Sequence, residues 1–158
     1  MHRTGIGYDS HRFAEGRPLI LGGQTIPHTH GLAGHSDADA VAHALTDAIL
    51  GAAAAGDIGS HFPDTDPRWK GADSMALLRS ACEIVGTRGY RVTQVDVTVI
   101  MERPRLGPHI PAMRSALAAA LGIAVEAVSV KAKTNEGMGF IGRGEGIATM
   151  AVATLEGN

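Results

Sequence analysis

Between Arg91 and Ile100 the chain alternates strictly, with Val95, Val97 and Val99 on one side and Asp96, Thr98 and Ile100 on the other. Period two is the signature of a strand buried on one face. Such a strand needs a sheet around it and an amphipathic layer over it. Ala40 to Ala55, an Ala/Leu/Ile-rich run stopping at Gly56, predicts one covering helix. Asp73 to Val85 predicts a second, amphipathic through Met75, Leu78, Cys82 and Val85. Pro108 to Leu121 predicts a third, with prolines near its start and Gly122 after its end. Met1 to Tyr8, Val128 to Ala132 and Gly146 to Leu155 read as further strands. Pro18 to Leu21 and Gln24 to Ile26, joined by Gly22-Gly23, read as a hairpin. Gly59 to Gly71 and Asn135 to Gly146 read as loops. The expected architecture is a single α+β domain over residues 1–158, a mixed β-sheet with helices packed on one face.

Composition limits the function classes. The chain is 44% apolar, enough for a core, and its net charge of −2 comes without any basic run. Nucleic acid and anionic membrane therefore have no electrostatic support as partners. No run of about 18 apolar residues is present to span a bilayer. Met1 to Gly5 has no signal-peptide apolar core, and the lone Cys82 cannot form an internal disulfide. A reducing, cytoplasmic setting is the expectation. With 21 glycines and only 4% aromatic residues, the core is built from small side chains. It would gain from burying more surface in an oligomer.

Asp9 and His11 stand two apart on a segment expected to be extended. Side chains at that spacing share a face, with Cα atoms about 6.6 Å apart, and can converge on one ion. A carboxylate with imidazoles suits zinc, and three such ligands leave a position for substrate. His43, on the first helix, is a candidate third ligand or simply a hydrogen-bonded helix histidine. Asp39 and Asp47, at i−4 and i+4, are each placed to accept its second N–H; otherwise Asp39 complements the helix dipole and Asp47 is solvated, the reading favoured for Asp47. His28 and His30 form a second i, i+2 pair, but in a Pro-Gly-flanked loop, and read as surface histidines. Ser36-x-x-Asp39 predicts Ser36 as the helix N-cap. A free helix N-terminus there would favour phosphate, with His35 alongside. Asp64 and Asp66 lie in a turn-rich acidic segment that suits polyol hydroxyls, a hard cation or plain solvent. Lys133 to Gly137 and Phe140 to Gly146 form a Gly-rich stretch where Arg143 could take phosphate and Glu136 a cation such as Mg²⁺.

Taken together, Gly5-Ile6-Gly7-Tyr8-Asp9-Ser10-His11, Gly34-His35-Ser36-Asp37-Ala38-Asp39 with His43, Gly56-Asp57-Ile58-Gly59 through Phe62-Pro63-Asp64-Thr65-Asp66, and Gly139-Phe140-Ile141-Gly142-Arg143-Gly144-Glu145-Gly146 resemble the 2-C-methyl-D-erythritol 2,4-cyclodiphosphate synthase family. The resemblance runs in order over nearly the whole chain. It implies a phosphorus-oxygen lyase of non-mevalonate isoprene biosynthesis, a homotrimer with active sites between subunits. By resemblance, Asp9, His11 and His43 hold Zn²⁺, and Glu136 holds a second ion, Mg²⁺ or Mn²⁺. His35 and Ser36 match phosphate contacts. Asp57, Ile58, Gly59, Phe62, Asp64 and Asp66 match the methylerythritol side. Met101, Arg105, Leu106, Gly107, Lys133, Thr134 and Asn135 match the cytidine side. His35 and Thr134 match positions that stabilise the transition state. Phe140 and Arg143 match positions near the trimer axis, where some relatives hold an isoprenoid diphosphate. Tyr8 stands where the family usually has Phe. Two other functions share these residues: a zinc-dependent phosphoesterase using the open zinc position to activate water, and a trimeric isoprenoid-diphosphate-binding protein without catalysis.

Overall fold

The computed structural model describes residues 1–157. Its sheet has five strands in the order β4-β1-β7-β5-β6: β1 (His2–Ala14), β4 (Gly31–Leu32), β5 (Tyr90–Ile100), β6 (Val128–Lys133) and β7 (Gly146–Gly157). All pairings are antiparallel except β5 with β6, so the sheet is mixed. The parallel pair requires a crossover, and α4 (Ile110–Leu121) supplies it. β2 (Leu19–Leu21) and β3 (Gln24–Ile26) form a separate hairpin. Its turn, Gly22-Gly23, has φ of 58° and 74°. A two-residue turn with both φ positive matches the twist of its strands, and glycine adopts it without Cβ strain.

α1 (Ala40–Ala52), α3 (Ser74–Thr87) and α4 cover one face, while α2 (Ile58–His61) and α5 (Gly139–Gly142) are single turns. Val95, Val97 and Val99 lie under the helices as expected, at most 1% exposed. The opposite face keeps Ile6 at 66%, Tyr8 at 55%, Met150 at 42% and Val152 at 39% exposure. Register pairs Ile6 with Val152 and Tyr8 with Met150, so the four form one contiguous apolar patch.

The approach of α1 to β1 is what positions the site. A Cβ on Gly5 would stand 2.0 Å from the Ala48 carbonyl oxygen, and one on Gly7 would stand 1.8 Å from that of Ala44. Both are impossible contacts. Glycine under alanine therefore lets helix and strand backbones touch, which brings the N-terminal half of α1 over the middle of β1.

Several boundaries differ from the sequence expectation. β1 runs on past Tyr8 to Ala14, so the extended segment expected at Asp9 and His11 is part of the strand itself. α1 ends at Ala52, because Ala54 turns left-handed (φ 53°) and the Ala55 N–H turns back to the Leu50 carbonyl. The expected loops at 59–71 and 135–146 each contain a helical turn, α2 with the 3₁₀ turn Pro67–Trp69, and α5. Ser36 is not the N-cap. That role belongs to Asp39, which accepts from the Ala42 N–H. Asp39 also accepts from Gly22 and Gly23, at 2.9 and 2.7 Å, and is fully buried. Its carboxylate fills the start of α1 and clamps the hairpin to it, so this helix end is no anion seat.

Candidate metal centre

Asp9, His11 and His43 converge. Their donor atoms lie within 4.8 Å of one another, the one such cluster of His, Cys, Asp and Glu among the described residues. Asp9 Oδ2 is 2.7 Å from His11 Nε2 and 3.1 Å from His43 Nδ1, and the two nitrogens are 3.4 Å apart. A tetrahedral ion with bonds near 2.0–2.1 Å has ligand–ligand edges of about 3.3 Å. The three separations bracket that value. One carboxylate and two imidazoles with an open fourth side are a donor set that fits zinc.

The imidazoles are oriented from behind. His11 Nδ1 donates to the Ala33 carbonyl at 2.7 Å, which turns Nε2 toward the cluster. Nε2 then faces a carboxylate oxygen, so it must carry a proton or meet a cation. The charges reflect this. Burial acts to lower His11, but its hydrogen bond and charge pairing with Asp9 outweigh that and hold it above the usual imidazole value. For Asp9, burial acts to raise it. The hydrogen bonds and charges of His11 and His43 prevail and hold it below the usual carboxylate value.

His43 does not use either flanking aspartate. Its Nε2 lies 2.8 Å from Ser74 Oγ and 3.0 Å from Ser36 Oγ. Asp39 is spent as the cap described above. Asp47 is neither a partner of His43 nor merely solvated: it accepts the Ile58 N–H at 2.7 Å and so holds α2 against α1.

The remaining expected residues fall into two groups. The first surrounds the triad. Ser36 is 8% exposed, and its carbonyl takes Arg17 at 2.6 Å. His35 Nε2 is buried without a hydrogen-bond partner among the described residues. Asp57 caps α2 in a capping box with Ser60, and Ile58 and Gly59 form its first turn. Phe62 packs edge-on against Trp69, ring centroids 5.2 Å apart, closing this segment. Asp64 is exposed. Asp66 is committed: it caps the 3₁₀ turn and accepts both Nε and Nη2 of Arg68, at 2.9 and 2.7 Å. Those hydrogen bonds lower its pKa. A substrate hydroxyl at Asp66 would share its carboxylate with Arg68.

The second group lies across the sheet. Met101, Arg105, Leu106, Gly107, Lys133 and Thr134 line one cavity of about 720 Å³. Met101 and Leu106, at 3% and 1% exposure, form its floor. Glu102 organises the adjoining loop by accepting the Asn135 N–H at 2.7 Å and the Gly137 N–H at 2.9 Å. Glu136, with φ of 53°, projects from that loop and is exposed. Phe140 and Arg143 line a different cavity of about 880 Å³ that reaches His11. Arg143 is paired with Glu145 at 2.7 Å, so its guanidinium is partly engaged rather than wholly available to phosphate.

The triad and Thr134 do not meet within one chain. The register runs Ser10, Ala148, Ile100, Lys133 across the sheet. Triad and Thr134 thus share one end of the sheet, but three strand spacings separate them, about 14 Å. Sequence reasoning missed Ser74, Glu102 and Arg17. Each acts through a contact far along the chain, and only the Asp73-Ser74 helix start carried any local signal, as a cap.

The profile of the YgbB family matches residues 2–156. The 2-C-methyl-D-erythritol 2,4-cyclodiphosphate synthase of Salinibacter ruber (strain DSM 13855 / M31) is 59% identical over 154 residues, 98% of each chain. That of Chromobacterium violaceum is 61% identical over 155 residues, again 98% of each. A solved 2C-methyl-D-erythritol-2,4-cyclodiphosphate synthase in its CDP-bound form superposes with a TM-score of 0.90 at 43% identity, covering 98% of this chain and 100% of that one. The bifunctional IspDF of Campylobacter jejuni superposes at 0.96 with 45% identity, covering 100% of this chain but 43% of that longer one. A chain with this sheet, this triad and this similarity along nearly its full length belongs to the YgbB family, that of the 2-C-methyl-D-erythritol 2,4-cyclodiphosphate synthases.

Proposed function

We propose that residues 1–158 act as one cyclodiphosphate synthase domain. The reaction converts 4-diphosphocytidyl-2-C-methyl-D-erythritol 2-phosphate to 2-C-methyl-D-erythritol 2,4-cyclodiphosphate and CMP. The observation that carries this reading is the triad: residues up to 34 positions apart present three zinc-type donors at one point. An oxygen of the 2-phosphate forms a bond to the β-phosphorus. The bond from that phosphorus to the oxygen bridging to the α-phosphate breaks, and CMP leaves with that oxygen. The nucleophile is already an anion, so no general base is needed. Cys82 is no nucleophile either, since burial pushes its thiol up to about 11.

The barrier is the repulsion of two phosphates, and positioning with charge neutralisation overcomes it. When bound, Zn²⁺ at Asp9, His11 and His43 and Mg²⁺ or Mn²⁺ at Glu136 supply that positive charge. His35 and Ser36 present side-chain donors to phosphate on the triad edge. The cavity under Arg105 and Lys133 takes the cytidine part. Thr134 reaches the phosphates from that side. The methylerythritol part sits by Asp57, Ile58 and Asp64. Since triad and Thr134 stand three strand spacings apart, the reading puts each active site between subunits of a homotrimer, in the cytoplasm. The apolar patch of Ile6, Tyr8, Met150 and Val152 is the surface such assembly would bury, and the Phe140 and Arg143 region is where an isoprenoid diphosphate would bind.

Incubation of the zinc- and magnesium-loaded protein with substrate, followed by ³¹P NMR, tests this. Cyclic diphosphate and CMP in equal amounts support it. Linear phosphate products would favour the phosphoesterase, and binding of isoprenoid diphosphate without CMP release would favour the binding protein.

A further inference from the structure

Behind His43 sits a closed set of polar groups whose protons can be counted. His43 Nδ1 faces Asp9 and His11, so as a ligand atom it is unprotonated and the ring proton resides on Nε2. Two hydroxyl oxygens are in reach of that N–H: Ser74 Oγ at 2.8 Å and Ser36 Oγ at 3.0 Å. Ser74 is the better acceptor, because its own hydrogen is already drawn away. Ser74 Oγ donates to Asp37 Oδ1 in a short contact, and the Ser74 N–H donates to Asp37 Oδ2 at 3.1 Å. Asp37 is itself fixed, since its Oδ1 also takes the Asp39 N–H at 3.1 Å and its own N–H donates to the Ala72 carbonyl. Ser36 Oγ accepts the Ala38 N–H at 3.2 Å and lies 3.3 Å from Ser74 Oγ, the longest contact of the set and the one its own hydrogen would give up for a phosphate oxygen. Ser74 is fully buried, whereas Ser36 is 8% exposed and flanked by carbonyls held by Arg17.

We propose that Ser74 and Asp37 are a positioning pair for His43, and that Ser74, by taking the His43 N–H, leaves the Ser36 hydroxyl free to donate to a phosphate oxygen. The pair fixes which nitrogen faces the cluster and which way the ring lies. Acceptors that orient a ligand histidine and raise its basicity carry about tenfold to a hundredfold in metal affinity. Ser74 opens α3 and Asp37 precedes α1, so the pair also fastens those two helix starts together at the site.

The inference rests on the reading of Asp9, His11 and His43 as zinc ligands, and the test separates the two. Zinc affinity is measured by competition with a chromophoric chelator on the wild type and on Ser74→Ala, Ser36→Ala and Asp37→Asn. Metal-free melting and the visible spectrum of the Co²⁺-loaded proteins are measured alongside. Ser74→Ala should weaken zinc about tenfold to a hundredfold and shift the cobalt bands, while its metal-free form, lowered in melting temperature by the lost Asp37 contact, still unfolds cooperatively. Asp37→Asn should weaken it in the same direction, and Ser36→Ala should stay within about twofold while raising the substrate KM. Ser74→Ala matching a zinc-binding wild type, or Ser36→Ala losing more zinc than Ser74→Ala, would overturn the assignment. If Ser74→Ala fails to fold, the near-isosteric Ser74→Cys decides by the same criterion. A wild type that takes no zinc removes the ligand reading itself.

Discussion

His11 Nε2 and Asp9 Oδ2 face each other at 2.7 Å, so the space between them must hold a proton or a cation. That competition has a pH signature. In metal-free protein Asp9 is held below its ordinary 3.8 and His11 above its ordinary 6.5. The Asp9 contribution to stability is present above 3.8 and lost as pH falls through its lowered folded value. The His11 contribution is complete below 6.5 and lost as pH rises through its raised folded value. Melting of metal-free protein should therefore show extra stability between those limits, and His11→Ala should flatten both flanks. An identical profile in the two proteins would count against the pair. Zinc binding runs the other way, falling as pH drops below about 6.5, because a protonated imidazole cannot ligate. His11→Ala should also lose zinc and nearly all turnover, as measured by metal analysis and CMP release. Asp9 and His11 were legible as a pair because strand geometry fixes where i and i+2 point. His43 was legible as a candidate and singled out only by resemblance, since nothing in a helix pattern says which strand it will lie upon.

At the scale of elements, that missing information lies in Gly5 and Gly7. They read as ordinary glycines in a strand, yet they set the distance between α1 and β1 and so carry His43 to Asp9. Gly7→Ala would drive its methyl into the Ala44 carbonyl at 1.8 Å. Backbone cannot yield there as a side-chain tip can, so the cost should reach or exceed the ordinary overpacking range of about 1–3 kcal/mol. Denaturant unfolding should show that loss, and zinc affinity should fall with it as α1 lifts. A Gly7→Ala protein of wild-type stability and zinc affinity would contradict this account of the helix position. The cap of α1 shows the same limit of local reading. Ser36 and Asp39 are both good caps, and what selects Asp39 is the hairpin turn at Gly22 and Gly23, 17 and 16 residues away. The strands and helices themselves were legible, because alternation at period two and amphipathic runs are local properties. The short turns α2 and α5, too brief to show a period, were not.

The whole molecule divides its expected chemistry between two sides of one sheet, the triad on β1 and α1 and Thr134 beyond β6. Within one chain they stand about 14 Å apart, and the proposed assembly would join them. His43→Ala and Thr134→Ala should each be inactive alone. Unfolded together in equal amounts and refolded, they should recover roughly a quarter of wild-type activity, because one edge-to-edge contact in four then pairs two intact edges. No recovery in mixed oligomers would place the whole site within one chain. The most direct test of cyclisation is to run the reaction in H₂¹⁸O and examine the products by mass spectrometry. Intramolecular phosphate attack predicts cyclic diphosphate and CMP free of ¹⁸O. A linear phosphate product carrying ¹⁸O would show that water is the nucleophile and would contradict the account.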